Sequence, residues 1–455
     1  MNDMTAPEWL LRERGINRVD LSLLFLYMLG IYTGFAIQFT PTVPMPSALA
    51  GVAGLALLWR RRMSIETVHV KAFTGIVAVL LLSIFLPPDL GFLLKRFTGF
   101  VQLTYSLIIG YAVFLTMLEA RRGQLARFFL VICAVIFVGC ILEDYAGLRP
   151  ISDWVRGRAF TDFVYEADLR DELLYGRIRP KFFTSEPSAV TFGFTLFAFI
   201  WLMVSRWRFK ILAYLAMMGA GIVIMPGPTL LLMLLMLVPY QFLIGKSWTP
   251  TMVRFAALGT LAGAFVFIFL ILGSSAFSNR VNQYAEGADA SSFYRVQGPA
   301  LVAMDVMEKY PLAGIGLTSE AYIDDEVLNV YRESGEFDPR WKYDNTFEVL
   351  TNYFWLHWIY FGAIMGVVVL VAMSRWLKSL GVQSLWFCWA VWAILGQASG
   401  SYVGPKTWAV MLMTAAGTVV ARRISIESVS EPIEPSIWHD AQPGWLPLED
   451  GTAAE

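Results

Sequence analysis

The chain has 455 residues, of which 57% are hydrophobic and only 16% charged, and its mean hydropathy is +0.57. A soluble chain of this length carries far more polar surface, so a membrane protein is expected. The formal net charge of −1 leaves no electrostatic footprint for nucleic acid.

A bilayer span needs about 20 mostly apolar residues, and by that measure about twelve candidates follow one another. They lie near 20–40, 43–59, 71–87, 98–118, 126–144, 187–204, 210–225, 228–244, 253–273, 347–373, 382–398 and 405–421. The expected fold class is therefore an all-α polytopic membrane protein. Aromatic residues, including 16 Trp, fit the lipid–water interfaces. The first span follows Arg12, Arg14 and Arg18 and is trailed by no small-residue cleavage site, the pattern of an uncleaved anchor.

Lys and Arg set orientation across a bilayer. With the N-terminus inside, the inner loops carry Arg60–Arg62, Arg121, Arg122 and Arg127, then Arg206, Arg208, Lys210, Lys246 and Arg254. Arg375, Lys378, Arg422 and Arg423 continue the alternation, while Lys95, Arg96 and Lys406 break it. Both termini are expected in the cytoplasm and two long segments in the periplasm. The chain then divides into spans one to five (1–144), a first periplasmic loop (145–186), spans six to nine (187–273), a second periplasmic loop with amphipathic helices (274–346), spans ten to twelve (347–421) and a Pro- and Glu-rich tail (422–455) expected to be disordered. Cys133, Cys140 and Cys388 fall within spans and read as packing residues.

Ionisable groups deep in lipid usually mark a transport path. Here the spans are nearly free of them at mid-depth, and Glu143, Asp144, Glu186 and Glu348 map to outer ends. This speaks against an ion-coupled carrier. Charge gathers instead in the first loop, which ends in "RIRPKFFTSEPSAV" (177–190). Pro187 suits a first helical turn, Thr184 or Ser185 can cap it, and Glu186 stands where the helix dipole favours negative charge. A positive helix end beside Arg177, Arg179 and Lys181 makes a phosphate site. The plainer reading is that these cations snorkel to lipid headgroups and that Glu-Pro-Ser only starts a helix.

The second loop reads "SSFYRVQGPALVAMDVMEKYPLAGIGL" over 291–317. Phe293, Val296, Ala300, Met304 and Met307 recur at helical spacing, with Ser291 or Ser292 to cap and Pro311 to stop. Such an amphipathic helix lies on a bilayer or roofs a cavity. Arg295 is in its first turn, a poor place for a cation unless an anion compensates. Gly314-Ile315-Gly316 permits close backbone approach. A second helix is expected from Ser319 to Ser334. "YDNTFEVL" (343–350) then leads back to the membrane, with Asp344 and Asn345 at the interface.

"RPKFFTSEPSAV" resembles the Arg…Glu-Pro-Ser element of Wzy-type polysaccharide polymerases. The 291–317 stretch resembles the second-loop element of the wider O-antigen polymerase and ligase family: an Arg, a helix, then Pro-Leu-x-Gly-x-Gly. The resemblance covers residues 95–420. It implies a C-type glycosyltransferase fold in the bacterial inner membrane, with its active site facing the periplasm. The implied activity joins undecaprenyl-pyrophosphate-linked repeat units into polysaccharide (O-antigen, capsule or exopolysaccharide), by an inverting, metal-independent reaction without cofactor. It makes Arg179 and Arg295 the donor-binding positions, with Arg177, Lys181, Arg280, Asp344 and Asn345 as secondary substrate contacts. Implied partners are the lipid-linked donor and acceptor, membrane lipids, a chain-length regulator and a flippase. Fixed arginines can offset the charge of a pyrophosphate leaving group. Glu186 can serve as general base for the attacking hydroxyl or orient an arginine, and the residues favour neither.

Two departures stand out. Ligases of this family carry a His-Asn-type pair at re-entry after the second loop, where this chain has Asp344-Asn345; His357, one span deeper, reads as a packing residue. The turn near 225 reads "MPGPT", with no basic residue. A glycan ligase, and a lipid-linked oligosaccharide flippase or polysaccharide transporter, are the alternatives. The flippase requires basic residues lining a central cavity rather than one face.

Overall fold

The computed structural model describes residues 15–40, 43–160, 168–244, 293–333 and 349–430. The ninth expected span, Arg280, Asp344 and Asn345 lie outside the described residues.

Among the described residues the chain is helical apart from one short hairpin. The first expected span becomes α1 (Arg18–Thr33), which stops at Gly34 in the left-handed conformation (φ 72°). Residues expected to continue it instead form β1 (Ile37–Thr40) and β2 (Val43–Met45), an antiparallel pair in which Ile37 faces Met45. This corrects the all-α expectation for residues 37–45, where β-branched residues and prolines follow the glycine stop. The second expected span shortens to α2 (Ala48–Arg60), 13 residues. At 1.5 Å per residue that is about 20 Å, short of a bilayer core of about 30 Å.

Then follow α3 (Thr67–Phe85), α4 (Leu93–Glu119) and α5 (Arg122–Tyr145). The segment 145–186 contains two helices that the sequence reading did not resolve, α6 (Arg149–Ala159) and α7 (Asp168–Tyr175). Next come α8 (Pro187–Val204), α9 (Lys210–Ile224), α10 (Leu232–Ile244), α11 (Gly298–Lys309) and α12 (Asp324–Glu333). The last three are α13 (Tyr353–Ser379), α14 (Leu385–Gly396) and α15 (Pro405–Ser430). Helix α15 runs beyond 421, so part of the segment expected to be a disordered tail is helical.

Five of the described helices are long and apolar enough to cross a membrane: Thr67–Phe85, Leu90–Glu119, Arg122–Tyr145, Pro187–Val204 and Tyr353–Ser379. Their burial sets their places. The apolar window of α8 is 94% buried, against 28% for α3, so α8 is the central post and α3 is peripheral. A helix that is apolar on every side belongs inside. Around α8 pack α1, α5, α9, α10 and α15, while α15 also lies along α4.

One end of the bundle is tied by charge. Asp20 accepts from Arg60 and Arg61, Arg61 also reaches Glu119 at 3.1 Å, and buried Arg122 donates to the Ser205 carbonyl at 2.8 Å. The opposite end carries 145–160, 168–186 and 293–333. There α13 is broken at Gly362 (φ 64°). The break frees backbone groups that lipid cannot satisfy, and residues 311–316 fill it. Ile364 and Met365 amides donate to the Pro311 and Leu312 carbonyls at 2.9 and 3.0 Å. Ile315 and Gly316 amides donate to the Ile359 and Tyr360 carbonyls at 3.1 and 2.9 Å. Gly314-Ile315-Gly316 is thus a backbone patch on a broken helix. From the other side, buried Arg96 donates to the Ile315 carbonyl at 3.2 Å. Lys309 bonds Asp305 at 3.1 Å and reaches Glu326 at 3.6 Å, linking α11 to α12; the Asp305 bond holds its ammonium above the usual lysine range.

Gly314 has φ +57°, and a Cβ there would stand 2.6 Å from the Gly362 amide nitrogen. Gly314→Ala is therefore expected to destabilise the fold by about 1–3 kcal/mol, read as a lower melting temperature in detergent. Gly75→Ala, in open space on α3, should leave it unchanged or raise it. Equal melting of the two variants would contradict the patch.

Candidate active site

The segment 177–186 is an ordered turn held by residues on α5 and α6. The amides of Lys181 and Phe182 donate to the two oxygens of Glu143 at 2.9 and 2.5 Å. Buried Arg156 donates to the carbonyls of Thr184 and Ser185 at 2.7 and 3.0 Å. Ser152 accepts from the Phe183 amide at 3.1 Å, and Tyr32 of α1 donates to the Phe182 carbonyl at 3.1 Å. These contacts hold two adjacent phenylalanines in left-handed backbone, Phe182 at φ 24° and Phe183 at φ 61°. Such conformations cost about 1–3 kcal/mol each and persist only where neighbours over-determine them.

The turn sends its three basic side chains in three directions. Arg177 donates to the Val223 and Ile224 carbonyls, closing the C-terminal end of α9, and to the Tyr145 hydroxyl at 2.9 Å. Lys181 is buried, and its Nζ bonds Asp168 of α7 at 2.7 Å. Arg179 places Nε and Nη2 on Asp171 Oδ1 at 2.9 and 2.7 Å and its guanidinium 4.7 Å from the centre of the Tyr175 ring. Its Nη1 lies 4.0 Å from where a Cβ on Gly227 would stand, and Thr191 Cγ2 lies 3.4 Å from that point. Arg179 thus flanks the opening turns of α8.

Glu186 itself is the N-cap of α8, in extended backbone (φ −149°), with Pro187 in the first helical turn. Neither Thr184 nor Ser185 caps the helix. Thr184 donates to the Lys181 and Glu186 carbonyls instead, at 2.6 and 2.8 Å. Glu186 Oε1 accepts from Ser188, and Oε2 stands 3.7 Å from Arg295 Nη2. This contact joins the two long segments of this end. Both side chains are partly open, 33% for Glu186 and 26% for Arg295, so a ligand can reach them.

Arg295 sits in a wide π-type turn, Phe293–Gln297, which precedes α11. That turn is pinned by the residues that begin α13. Asn352 Nδ2 donates to the Arg295 carbonyl at 2.9 Å and to Gln397 at 2.8 Å, while its oxygen caps α13 by accepting from Phe354 and Trp355. Thr351 donates to the Tyr294 carbonyl at 3.3 Å. Lys406, in the first turn of α15, places Nζ 4.6 Å from the centre of the Phe192 ring. It lies within electrostatic reach of both Glu186 and Arg295.

Of the sequence-predicted residues, the structure joins Glu186 with Arg295 and sets Arg179 along the same helix start. It directs Arg177 and Lys181 into structural bonds. His357 is a buried hydrogen-bonding residue between Tyr402 (3.0 Å) and the Gly366 carbonyl (3.1 Å). Sequence reasoning missed Asp171, Asn352 and Lys406. For Lys406 a signal existed, since it breaks the Lys/Arg alternation. Asp171 and Asn352 carried none.

A bundle of apolar helices, five of them long and apolar enough to cross a membrane, is that of a polytopic membrane protein, and arginines paired with carboxylates gather at one end of it. The chain belongs to the WcaD colanic acid polymerase family, whose model matches residues 24–423. It is thus of the Wzy-type exopolysaccharide polymerases, glycosyltransferase-type enzymes that join repeat units into polysaccharide. No curated protein matches the chain.

The Glu143 anchorage has a measurable consequence. Glu143→Gln replaces one acceptor oxygen with an amide that faces a second donor. Trypsin cleavage after Lys181 is expected to be slow in the wild type and several-fold faster in the variant, read by mass spectrometry in detergent. Equal rates would show that the turn is not held this way.

Proposed function

We propose that the chain polymerises undecaprenyl-pyrophosphate-linked repeat units at the periplasmic face of the bacterial inner membrane. The family supplies the polymerase class. The observation that carries the site is the Glu186–Arg295 contact at the start of α8, with Arg179 on the same turns.

In this reading Arg179 and Arg295 grip the pyrophosphate of the growing donor. Asp171 and Glu186 compensate the two cations until the anion arrives. The acceptor's sugar hydroxyl attacks the donor's anomeric carbon from the side opposite the pyrophosphate. The new glycosidic C–O bond forms as the bond to the pyrophosphate oxygen breaks, and the anomeric centre inverts. The hydroxyl proton passes to a carboxylate, for which Glu186 is the candidate, and then to water. The leaving group keeps the electron pair, and its charge falls on guanidinium groups already in place, which is why the reaction needs no metal. Lys406 adds a third cation to the same field. Glu186 either takes the proton or orients Arg295. General-base help is typically worth about 10²–10⁴ in rate, so Glu186→Gln separates the roles: lost turnover with donor still bound means base, and weakened donor binding means orienter. Normal turnover and normal binding together would remove both roles.

Cells lacking the protein are expected to accumulate single lipid-linked repeat units, whereas long lipid-linked chains would mark a ligase. Arg179→Ala and Arg295→Ala should reproduce that accumulation at normal protein levels. Arg→Lys at either position should restore polymer only partly, because lysine lacks the planar fork. Normal polymer from both alanine variants would misplace the site.

The orientation follows from the Lys/Arg alternation, with 145–186 and 274–346 in the periplasm and both termini in the cytoplasm. Ser334→Cys should react with an impermeant thiol reagent in cells with a permeabilised outer membrane, and Ser430→Cys should not. Labelling of Ser430→Cys from outside would reverse the assignment.

A further inference from the structure

Helix α6, "RPISDWVRGRA", starts on Pro150 and is tied at both ends to helices of the bundle. At its start the chain leaves α5 through Gly147 (φ 74°), and the Leu148 amide returns to the Leu142 carbonyl at 3.1 Å. At its end the Phe160 ring lies 5.0 Å from Phe35, just past the last turn of α1. Eleven residues make a helix about 16 Å long. It therefore runs across the ends of α5 and α1, at the depth where α5, a helix of membrane length, stops.

The helix has three unlike sides. One grips the turn that ends in Glu186: Arg156 donates to the Thr184 and Ser185 carbonyls, and Ser152 accepts from the Phe183 amide. With 3.6 residues per turn, Arg149 and Asp153 fall to one flank of that line. Arg149 pairs with Asp144 at 2.8 Å, and Asp153 with Arg156 at 2.6 Å. Ile151, Trp154 and Arg158 fall to the other flank. Ile151 and Trp154 are 57% and 58% exposed, and the Arg158 guanidinium lies 4.1 Å from the centre of the Trp154 ring. This flank continues the exposed stripe Val138, Leu142 and Tyr145 of α5, which in a helix of that length and hydropathy meets lipid. A Trp whose ring reaches past the end of such a stripe sits at headgroup depth. An Arg beside it can keep its stem in the apolar layer and its fork on a phosphate.

We propose that α6 lies flat in the headgroup layer of the bilayer, with Ile151 and Trp154 among the lipids and Arg158 on a phospholipid phosphate, and that the membrane surface thereby sets the height of the turn that ends in Glu186. Amphipathic helices bind such surfaces through their apolar flank. Here the opposite side carries Ser152 and Arg156, so seating the helix seats the turn. The inference needs the bundle to span a membrane and holds whichever reaction the site performs.

The test uses the full chain in phosphatidylethanolamine–phosphatidylglycerol nanodiscs, with a bimane fluorophore on Ile151→Cys or on Gly157→Cys. Gly157 lies on the Asp153 flank, where a Cβ meets open space. The native Cys133, Cys140 and Cys388 are buried, so labelling falls on the introduced thiol. A lipid carrying a nitroxide near its headgroup should quench the label at 151 several-fold more than the label at 157, and aqueous iodide should show the reverse order. Equal quenching at the two positions, or stronger iodide quenching at 151, would place α6 clear of the bilayer or against another protein and overturn the proposal. The coupling to the turn is read in the same nanodiscs. Trp154→Asp should speed trypsin cleavage after Lys181 several-fold at an unchanged melting temperature, and Trp154→Tyr, which keeps an interfacial ring, should leave it slow. Cleavage as slow in Trp154→Asp as in the wild type would show that the membrane surface does not hold the turn.

Discussion

Two like charges, Arg179 and Arg295, are held at the start of one helix, whose own dipole is positive there. That arrangement is stable only because each cation has a carboxylate: Asp171 at 2.7 Å for Arg179 and Glu186 at 3.7 Å for Arg295. Three neighbouring elements supply those partners. Helix α7 carries Asp171, the N-cap of α8 is Glu186, and Asn352 fixes the turn that carries Arg295. The pairs are unequal. Asp171 is fully buried and takes both Nε and Nη2 of Arg179 on one oxygen, which fixes the direction of that guanidinium. Glu186 is one-third exposed and its contact with Arg295 is long, 3.7 Å, so in the proposed mechanism it is the partner that an incoming anion displaces.

A second constraint comes from the solvent. Lipid offers no hydrogen bonds, so every backbone group inside the bundle needs a protein partner. The break in α13 at Gly362 would violate this, and the 311–316 segment repairs it with backbone bonds in both directions. That repair ties α11 to the bundle. Arg295 lies just before α11, so the patch anchors the helix that follows it, while Asn352 and Thr351 hold its own turn. The strained Phe182–Phe183 pair plays the matching part on the other side, where Glu143, Ser152 and Arg156 hold the turn that ends in Glu186.

Much of this was legible in the sequence. The helical character, the start of α8 at Pro187, the helix before Pro311 and the close approach at Gly314 each rest on local rules of pattern or backbone freedom, but the buried face of that helix is Val302, Ala303 and Val306, while Val296 and Met304 of the expected stripe are exposed. The hairpin at 37–45 was missed because apolar residues continue through it, and hydropathy alone does not distinguish a strand from the end of a helix. The fates of Arg177 and Lys181 were hidden for another reason. Closeness in sequence places side chains near one another, yet a turn with left-handed residues fans them apart, and only the fold reveals which carbonyl or carboxylate each one meets. Two of the basic residues that broke the Lys/Arg alternation, Arg96 and Lys406, have side-chain roles at this end of the bundle. Arg96 donates to the Ile315 carbonyl, and Lys406 sits over the Phe192 ring of α8.

The central claim is that Arg179 and Arg295 close on one pyrophosphate. Its most direct test is an electron cryomicroscopy structure of the full chain with undecaprenyl pyrophosphate bound. The account predicts phosphate density within hydrogen-bonding distance of both guanidinium groups, with Arg179 still on Asp171 and Glu186 drawn away from Arg295. Phosphate density that touches neither arginine, or a Glu186–Arg295 contact that persists beside a pyrophosphate bound elsewhere, would contradict it.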